Sequence, residues 1–421
     1  MNSSATSMTH GSLLAYGLFG LPLALVALPI YVYVPNFYAE HFGLSLTAIG
    51  AALLAARLFD AFLDPAIGWW IDRAKGRIGY GGPILIALPA LSLGYLLLFH
   101  PLAVASAFPL AWFVSTLMLV YAGFSLATIA HQSWGAALSS AVRERSRISA
   151  SRETCGLVGV VLAAALPGWL GIGWLSAVFI LTLILGAVLL LGWAKRPDFF
   201  VLPGSVFGTG LGSFIEPFRN DRFRWLFALF VINGVAAAIP ATLFIFFARD
   251  RLQLGQQSGV FLILYFAAAA ISMPFWVALA KRAGEARAWL LGMLLSIAAF
   301  VWAFGLQAGA SGGFSAICIV SGFALGADLV LPPALLAAVI AHGGHSGRRE
   351  GAYFGAWNWA TKMNLALAAG VSLPLLESLG YAPGTSDPRG LQALGLAYAV
   401  LPCLLKLTAA AILWRAPLRD L

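Results

Sequence analysis

Apolar runs of about twenty residues recur along the whole chain, and few folds can hold them. A helix of roughly 20 residues crosses the ~30 Å hydrocarbon core of a bilayer with its backbone hydrogen-bonded throughout. Twelve runs can be marked, at about 11–35, 44–70, 80–100, 108–138, 153–170, 172–194, 225–248, 257–280, 288–307, 314–341, 352–380 and 391–414. Hydrophobic residues fill 61% of the 421 positions and charged residues only 10%, more apolar sequence than a water-soluble core can hide. The sequence predicts an all-α membrane protein with twelve transmembrane helices.

A net charge of +9 would suit a nucleic-acid partner if the basic residues shared a face. They do not. Nineteen of the 25 Lys and Arg fall in short loops on one side of the predicted membrane, and the other side carries only Arg249, Arg251 and Arg389. By the positive-inside rule both termini are expected in the cytoplasm. The expected location is a bacterial inner membrane, with lipid and not nucleic acid as the surroundings. The segment 197–224 is broken by Pro197, Pro203, Gly204, Gly208, Gly210, Gly212 and Pro217 and reads as a linker. It separates a bundle over 1–196 from a second over 225–421. Six plus six spans about a cytoplasmic linker is the major facilitator arrangement, two pseudo-symmetric halves around a midplane site. A monomer would suffice for it. Cys155, Cys318 and Cys403 lie in apolar segments without metal-ligand spacing and read as small core residues. The N-terminus lacks the basic n-region of a cleavable signal peptide, so the first span is expected to stay.

One span breaks the apolar rule. Leu53–Gly79 reads LLAARLFDAFLDPAIGWWIDRAKGRIG and holds Arg57, Asp60 and Asp64 at helical spacing, on one stripe. A charge in hydrocarbon costs at least about 2.5–3.5 kcal/mol, so this stripe must face a partner, an ion or a water-filled cavity. Two neighbouring carboxylates do not both ionise cheaply, which suits proton binding. The plain alternative is a salt bridge with Arg57 or Lys362.

Three stretches point further: YVYVPNFYAEHFGLS (31–45) running into ARLFDAFLDPAIGWWIDRAKGRIG (56–79); SWGAALSSAVRERSRISASRE (133–153); and GRREGAYFGAWNWATKMNLALAAG (347–370). Together they resemble the glycoside–pentoside–hexuronide:cation symporters, the melibiose-permease family of the major facilitator superfamily. The resemblance implies that Asp60 and Asp64 bind the coupling cation and that Lys362 takes part in coupling. It also exposes departures. Ala24 and Ala130 stand where the family carries sugar-binding acids, and Leu63 stands where sodium-coupled members carry an asparagine. The implied function is cation-coupled symport of a small organic solute, sugar-like or anionic. The ion is H⁺ or Na⁺, with Leu63 favouring H⁺, and no other cofactor is implied.

Around that core, Arg57, Tyr121, His131, Trp134, Asp328, Trp357 and Asn358 are candidate substrate contacts, each with a structural alternative. Asp328 could bond Lys406, His131 could be satisfied by a neighbour, and the aromatic rings could fill helix interfaces. Asp72, Arg73, Arg77, Glu144, Arg145 and Arg152 form a candidate cytoplasmic gate between helices. No HExxH, Walker A or GxSxG motif and no metal-ligand cluster is present, so the sequence does not read as an enzyme. The rival readings are a lysolipid or amphiphile carrier of the same fold and, further off, a membrane-embedded lipid-linked transferase.

The two alanines give a first prediction. A carboxylate accepting hydrogen bonds from sugar hydroxyls is worth about 1.5–3 kcal/mol per bond. Losing two should weaken galactoside affinity by roughly 10²–10⁴ relative to a melibiose-permease-type carrier. Calorimetry of the purified protein with melibiose checks this, and family-typical binding would refute it.

Overall fold

A computed structural model describes residues 8–418 apart from 33, 45, 140, 171, 198–214, 382–383 and 385–386. Most of the predicted linker therefore lies outside the described residues. Those that are described form helices joined by short turns, with no strand among them. The chain divides into two compact units, 1–217 with 340–359 and 218–339 with 360–421. The segment 340–359, expected in the C-terminal bundle, thus groups with the first unit.

In the first unit the opening span is broken. Helix α1 (His10–Gly17) stops before α2 (Gly20–Val32), and a short α3 (Val34–Phe42) follows. Helix α4 (Leu46–Ile78) runs 33 residues, about 50 Å at roughly 1.5 Å per residue, so its end projects beyond the ~30 Å hydrocarbon layer. The basic turn expected at 72–77 is helical, and the chain leaves the helix at Gly79, whose φ of 63° suits glycine. Helices α5 (Gly81–Phe99) and α6 (Pro109–Ala137) pack closely at Gly94 and Gly123, where an added β-carbon would press on Val120 and Leu91. Helix α7 (Val142–Leu170) takes up the E-R-x-R stretch expected in a loop, and α8 (Ile172–Trp193) follows.

The second unit holds α9 (Asp221–Phe246), α10 (Ser258–Ala283), α11 (Glu285–Phe300) and most of α12 (Ser311–His342). It continues from Ala360 in α13 (Glu350–Ser378) into α14 (Pro388–Gly395) and, after a π turn, α15 (Leu401–Arg415). Its core stacks Phe247 on Tyr398, ring centres 3.9 Å apart, beside Phe261 and Phe314. Eight helical stretches among the described residues are long and apolar enough to cross a membrane. The α1–α2 pair, α4, α7 and α13 complete the set of twelve.

Small residues bring these helices together, as expected where lipid supplies no hydrophobic drive between them. At Gly322 on α12 an added β-carbon would collide with the Tyr265 carbonyl of α10. Gly312, on the same helix, has open space. Gly322→Leu should therefore cost about 1–3 kcal/mol through overpacking, and Gly312→Ala should stay within about 0.5 kcal/mol. Thermal unfolding of the purified variants separates the two.

Candidate functional site

Asp60 and Asp64 occupy neighbouring turns of α4, and both are buried, 3% and 0% exposed. Ser125 of α6 donates to Asp60 Oδ1 at 2.7 Å. Pro65 follows Asp64 directly and lacks an N–H, so the Ala61 carbonyl loses its helical donor beside the two carboxylates. Arg57 lies half-buried one turn earlier, and Tyr121 is buried on α6. Lys362 is half-buried on α13, in the second unit.

Where α4 passes the start of α13, the helices approach through glycine alone. A β-carbon on Gly68 would collide with the Gly351 carbonyl, and one on Gly355 would press on the Asp64 carbonyl. This contact lets Asp72 accept from the backbone N–H groups of Gly351 at 2.9 Å and Ala352 at 2.7 Å. A carboxylate at a helix N-terminus meets free N–H groups and the positive end of the helix dipole. Lys75, one turn on, donates to Asp72 at 2.8 Å, to Glu350 at 2.6 Å and to the Tyr80 hydroxyl at 3.2 Å. Tyr80 in turn donates to Glu350 at 2.9 Å, and Arg349 pairs with Glu216. Lys75, Asp72 and Glu350 are 3%, 5% and 0% exposed, so this ionic joint is dry.

Around Asp72, then, the structure assembles Lys75, Glu350 and Tyr80 and not the arginines expected there. Arg73 is exposed and lies over the Trp69 ring at 5.1 Å, and Arg77 is exposed at the helix end. Glu144 accepts from Arg147 at 2.8 Å and from the Met8 N–H at 3.2 Å. Arg152 pairs with its neighbour Glu153, and Arg145 is buried on α7. The Asp72–Lys75 spacing of three on a helix end is a signal the sequence offered; the partner Glu350, 275 residues from Lys75, had none.

The candidate substrate contacts separate into groups. His131 is fully buried; its Nε2 donates to the Tyr16 carbonyl at 2.9 Å, and its ring packs on Tyr16 and Phe19. The Trp134 indole donates to the Lys195 carbonyl at 2.9 Å. Both contacts tie the ends of helices together. Asn358 donates to Gln132, a residue the sequence did not single out, at 2.6 Å, and Trp357 is buried beside it. Asp328 belongs to the second unit, where it accepts from Lys406 at 2.6 Å, Trp289 at 2.7 Å and Asn233 at 3.1 Å. Ala24 faces Gly156 and Gly159 of α7, and Ala130 is fully buried. Among the described residues no group of His, Cys, Asp and Glu could hold a metal ion.

The sequence model of the family described as "MFS/sugar transport protein" matches residues 14–420. The chain belongs to that family. It is 24% identical over 284 residues to the isoprimeverose transporter of Lactiplantibacillus pentosus, covering 64% of this chain but only 58% of that protein, less than two thirds of its length. To the glucuronide carrier protein homolog of Escherichia coli it is 22% identical over 409 residues, covering 92% of this chain and 88% of that one. Among solved structures, the E. coli fucose:proton symporter FucP superposes with a TM-score of 0.68 at 15% identity, over 95% of this chain and 98% of that one. The fold is the twelve-helix major facilitator fold of an integral membrane protein.

The joint at Asp72 generates a pH prediction. Burial pushes its carboxyl up to about 6; Lys75 pulls it down, and the Glu350 carboxylate adds to the rise. A carboxyl raised in the folded state contributes stability that is full below about 3.9 and is lost as pH rises through about 6. Between about pH 7.5 and about pH 5 the wild type should therefore gain stability relative to Asp72→Asn. Parallel melting curves test this, and parallel pH profiles for the two proteins would refute it.

Proposed function

We propose that the protein is a secondary active transporter, a symporter that couples H⁺ movement to that of a small organic solute, sugar-like or anionic, by alternating access. The buried Asp60–Asp64 pair on α4 carries this reading. Intramembrane carboxylates are expensive and mark ion or substrate pathways. Two of them one helical turn apart repel when both carry charge, and a cation bound between them would offset that repulsion. The Ser125 hydroxyl donates to Asp60 and can stay in place whichever oxygen is protonated. Leu63, lying between the aspartates, offers no oxygen to a sodium ion. In this reading the coupling ion is the one cofactor, the membrane is the bacterial inner membrane with both termini in the cytoplasm, and the protein works as a monomer.

The solute class rests on two supports. The relatives are named for isoprimeverose and for glucuronides, and a glucuronide carries a carboxylate. This chain keeps Arg57 and Lys362 half-buried in membrane helices and has Ala24 and Ala130 at the acidic sugar positions, a balance that favours an anion. The Asp72–Lys75–Glu350 joint acts as a gate in this scheme. It holds α4 to the first turn of α13 in one state and releases it in the other.

Asp64→Asn should abolish uphill accumulation in proteoliposomes while counterflow exchange of the same solute persists. Concentrative uptake at wild-type level would refute the coupling role. An imposed pH gradient in sodium-free medium should drive uptake of a sugar acid such as glucuronate, and a strict sodium requirement would overturn the choice of ion.

A further inference from the structure

The second unit encloses a cavity that none of the coupling carboxylates lines. Its volume is about 380 Å³, within the range of small-molecule sites, and α9, α10, α11, α12 and α15 all contribute to its wall. The wall is aromatic and aliphatic, with Phe244, Phe261 and Phe300 among its rings. Asp328 and Lys406 form its one charged patch. Ile245, near the end of α9, and Leu262, near the start of α10, also line it and are 52% and 36% exposed, which places a mouth beside the α9–α10 connection.

The charged patch has an incomplete hydrogen-bond inventory. Asp328 accepts from Lys406, Trp289 and Asn233, so its carboxylate is well supplied with donors. The Lys406 ammonium carries three N–H donors, and its one hydrogen-bond acceptor among the described residues is Asp328. Lys406 is 6% exposed, so bulk water does not take up the remainder. Two donors are thus left over at the edge of an apolar cavity. An acceptor supplied by a ligand would complete the set.

Charge decides which acceptor. Asp328 and Lys406 cancel, so an uncharged head leaves the site neutral. An anionic head would leave a net negative charge in hydrocarbon, and a cationic head would face the ammonium. Size sets the rest. At roughly 30 Å³ per water-sized group, the volume takes about a dozen non-hydrogen atoms.

We propose that this cavity binds an uncharged amphiphile, its hydrogen-bond-accepting head on Lys406 and its apolar chain along the aromatic wall towards Ile245 and Leu262. The site is lined wholly by the second unit and shares no residue with the proposed coupling pair, and the inference stands whether or not the chain moves a sugar-like solute.

Photo-crosslinking of the full chain in lipid nanodiscs tests it. The probe is 1-decanol bearing a diazirine, compared with the same chain ending in a carboxylate. The alcohol should label peptides of α9, α10 and α12 saturably, and excess 1-decanol should compete. Ala241→Trp, on the exposed wall of the cavity, should reduce that labelling by at least about 10-fold without changing labelling of α8, whose Leu181, Ile184 and Val188 are exposed. Asp64→Asn should leave it unaltered. A second readout covers the case in which Ala241→Trp fails to fold. In a Cys155→Ser chain the remaining thiols, Cys318 and Cys403, both line the cavity, and 1-decanol should slow their alkylation by an apolar maleimide. Non-saturable labelling shared equally with α8, carboxylate labelling as strong as the alcohol's, or alkylation indifferent to 1-decanol would each overturn the proposal.

Discussion

Charge taken out of water, in hydrocarbon or between packed helices, has to be answered by something, and each buried charge here is answered differently. Isolated, each would cost several kilocalories per mole. Asp328 is answered by three donors from three different helices, a fixed neutral cluster that no proton or ion needs to enter. Asp72 is answered largely by backbone, two N–H groups at the start of α13, with Lys75 shared between it and Glu350. Asp60 is answered in part by the Ser125 hydroxyl, a donor that tolerates protonation of its partner. The first arrangement holds a unit together, the second makes a joint between two elements, and the third is the one on which the proposed coupling site rests.

Much of this was legible in the chain. Runs of twenty apolar residues specify helical spans because a helix of that length crosses a bilayer with its backbone hydrogen-bonded throughout, and lone charges within them stand out by cost. The Asp328–Lys406 pair was readable as an alternative for that reason: each was a single charge in an otherwise apolar span. Helix ends were read less well. Apolarity stops at the membrane surface while the helix does not, so α4 runs on through its basic turn and α7 begins well before its apolar part. The break at Leu18–Phe19 carries no proline, and hydropathy has no signal for it.

The candidate gate shows where sequence reasoning runs out. Basic residues near a membrane face are over-determined, since the positive-inside rule asks for them whether or not they bond to anything. Arg73 and Arg77 satisfy that rule and stay exposed. The residues that do pair across the joint, Lys75 and Glu350, looked like ordinary members of their charged turns. What distinguishes them is burial, and burial here depends on Gly68 and Gly351 letting two backbones touch. Three glycines and a carboxylate would have had to be read together.

That geometry also fixes how such a joint can be released. Two of the three hydrogen bonds to Asp72 come from the peptide N–H groups of Gly351 and Ala352, and no side-chain change there short of proline removes a peptide donor. Those groups belong to the first turn of the helix, where no intrahelical acceptor competes for them. The bond is therefore insensitive to local fraying of side chains and sensitive to displacement of the helix as a body. A shift of a few ångströms along α4 would take both donors beyond hydrogen-bonding range together. Lys75 would then keep one carboxylate while the other turned to solvent, so opening exchanges a dry ionic cluster for a hydrated one. In the scheme proposed above, such a joint would have a closed and an open arrangement with little between them, as alternating access requires.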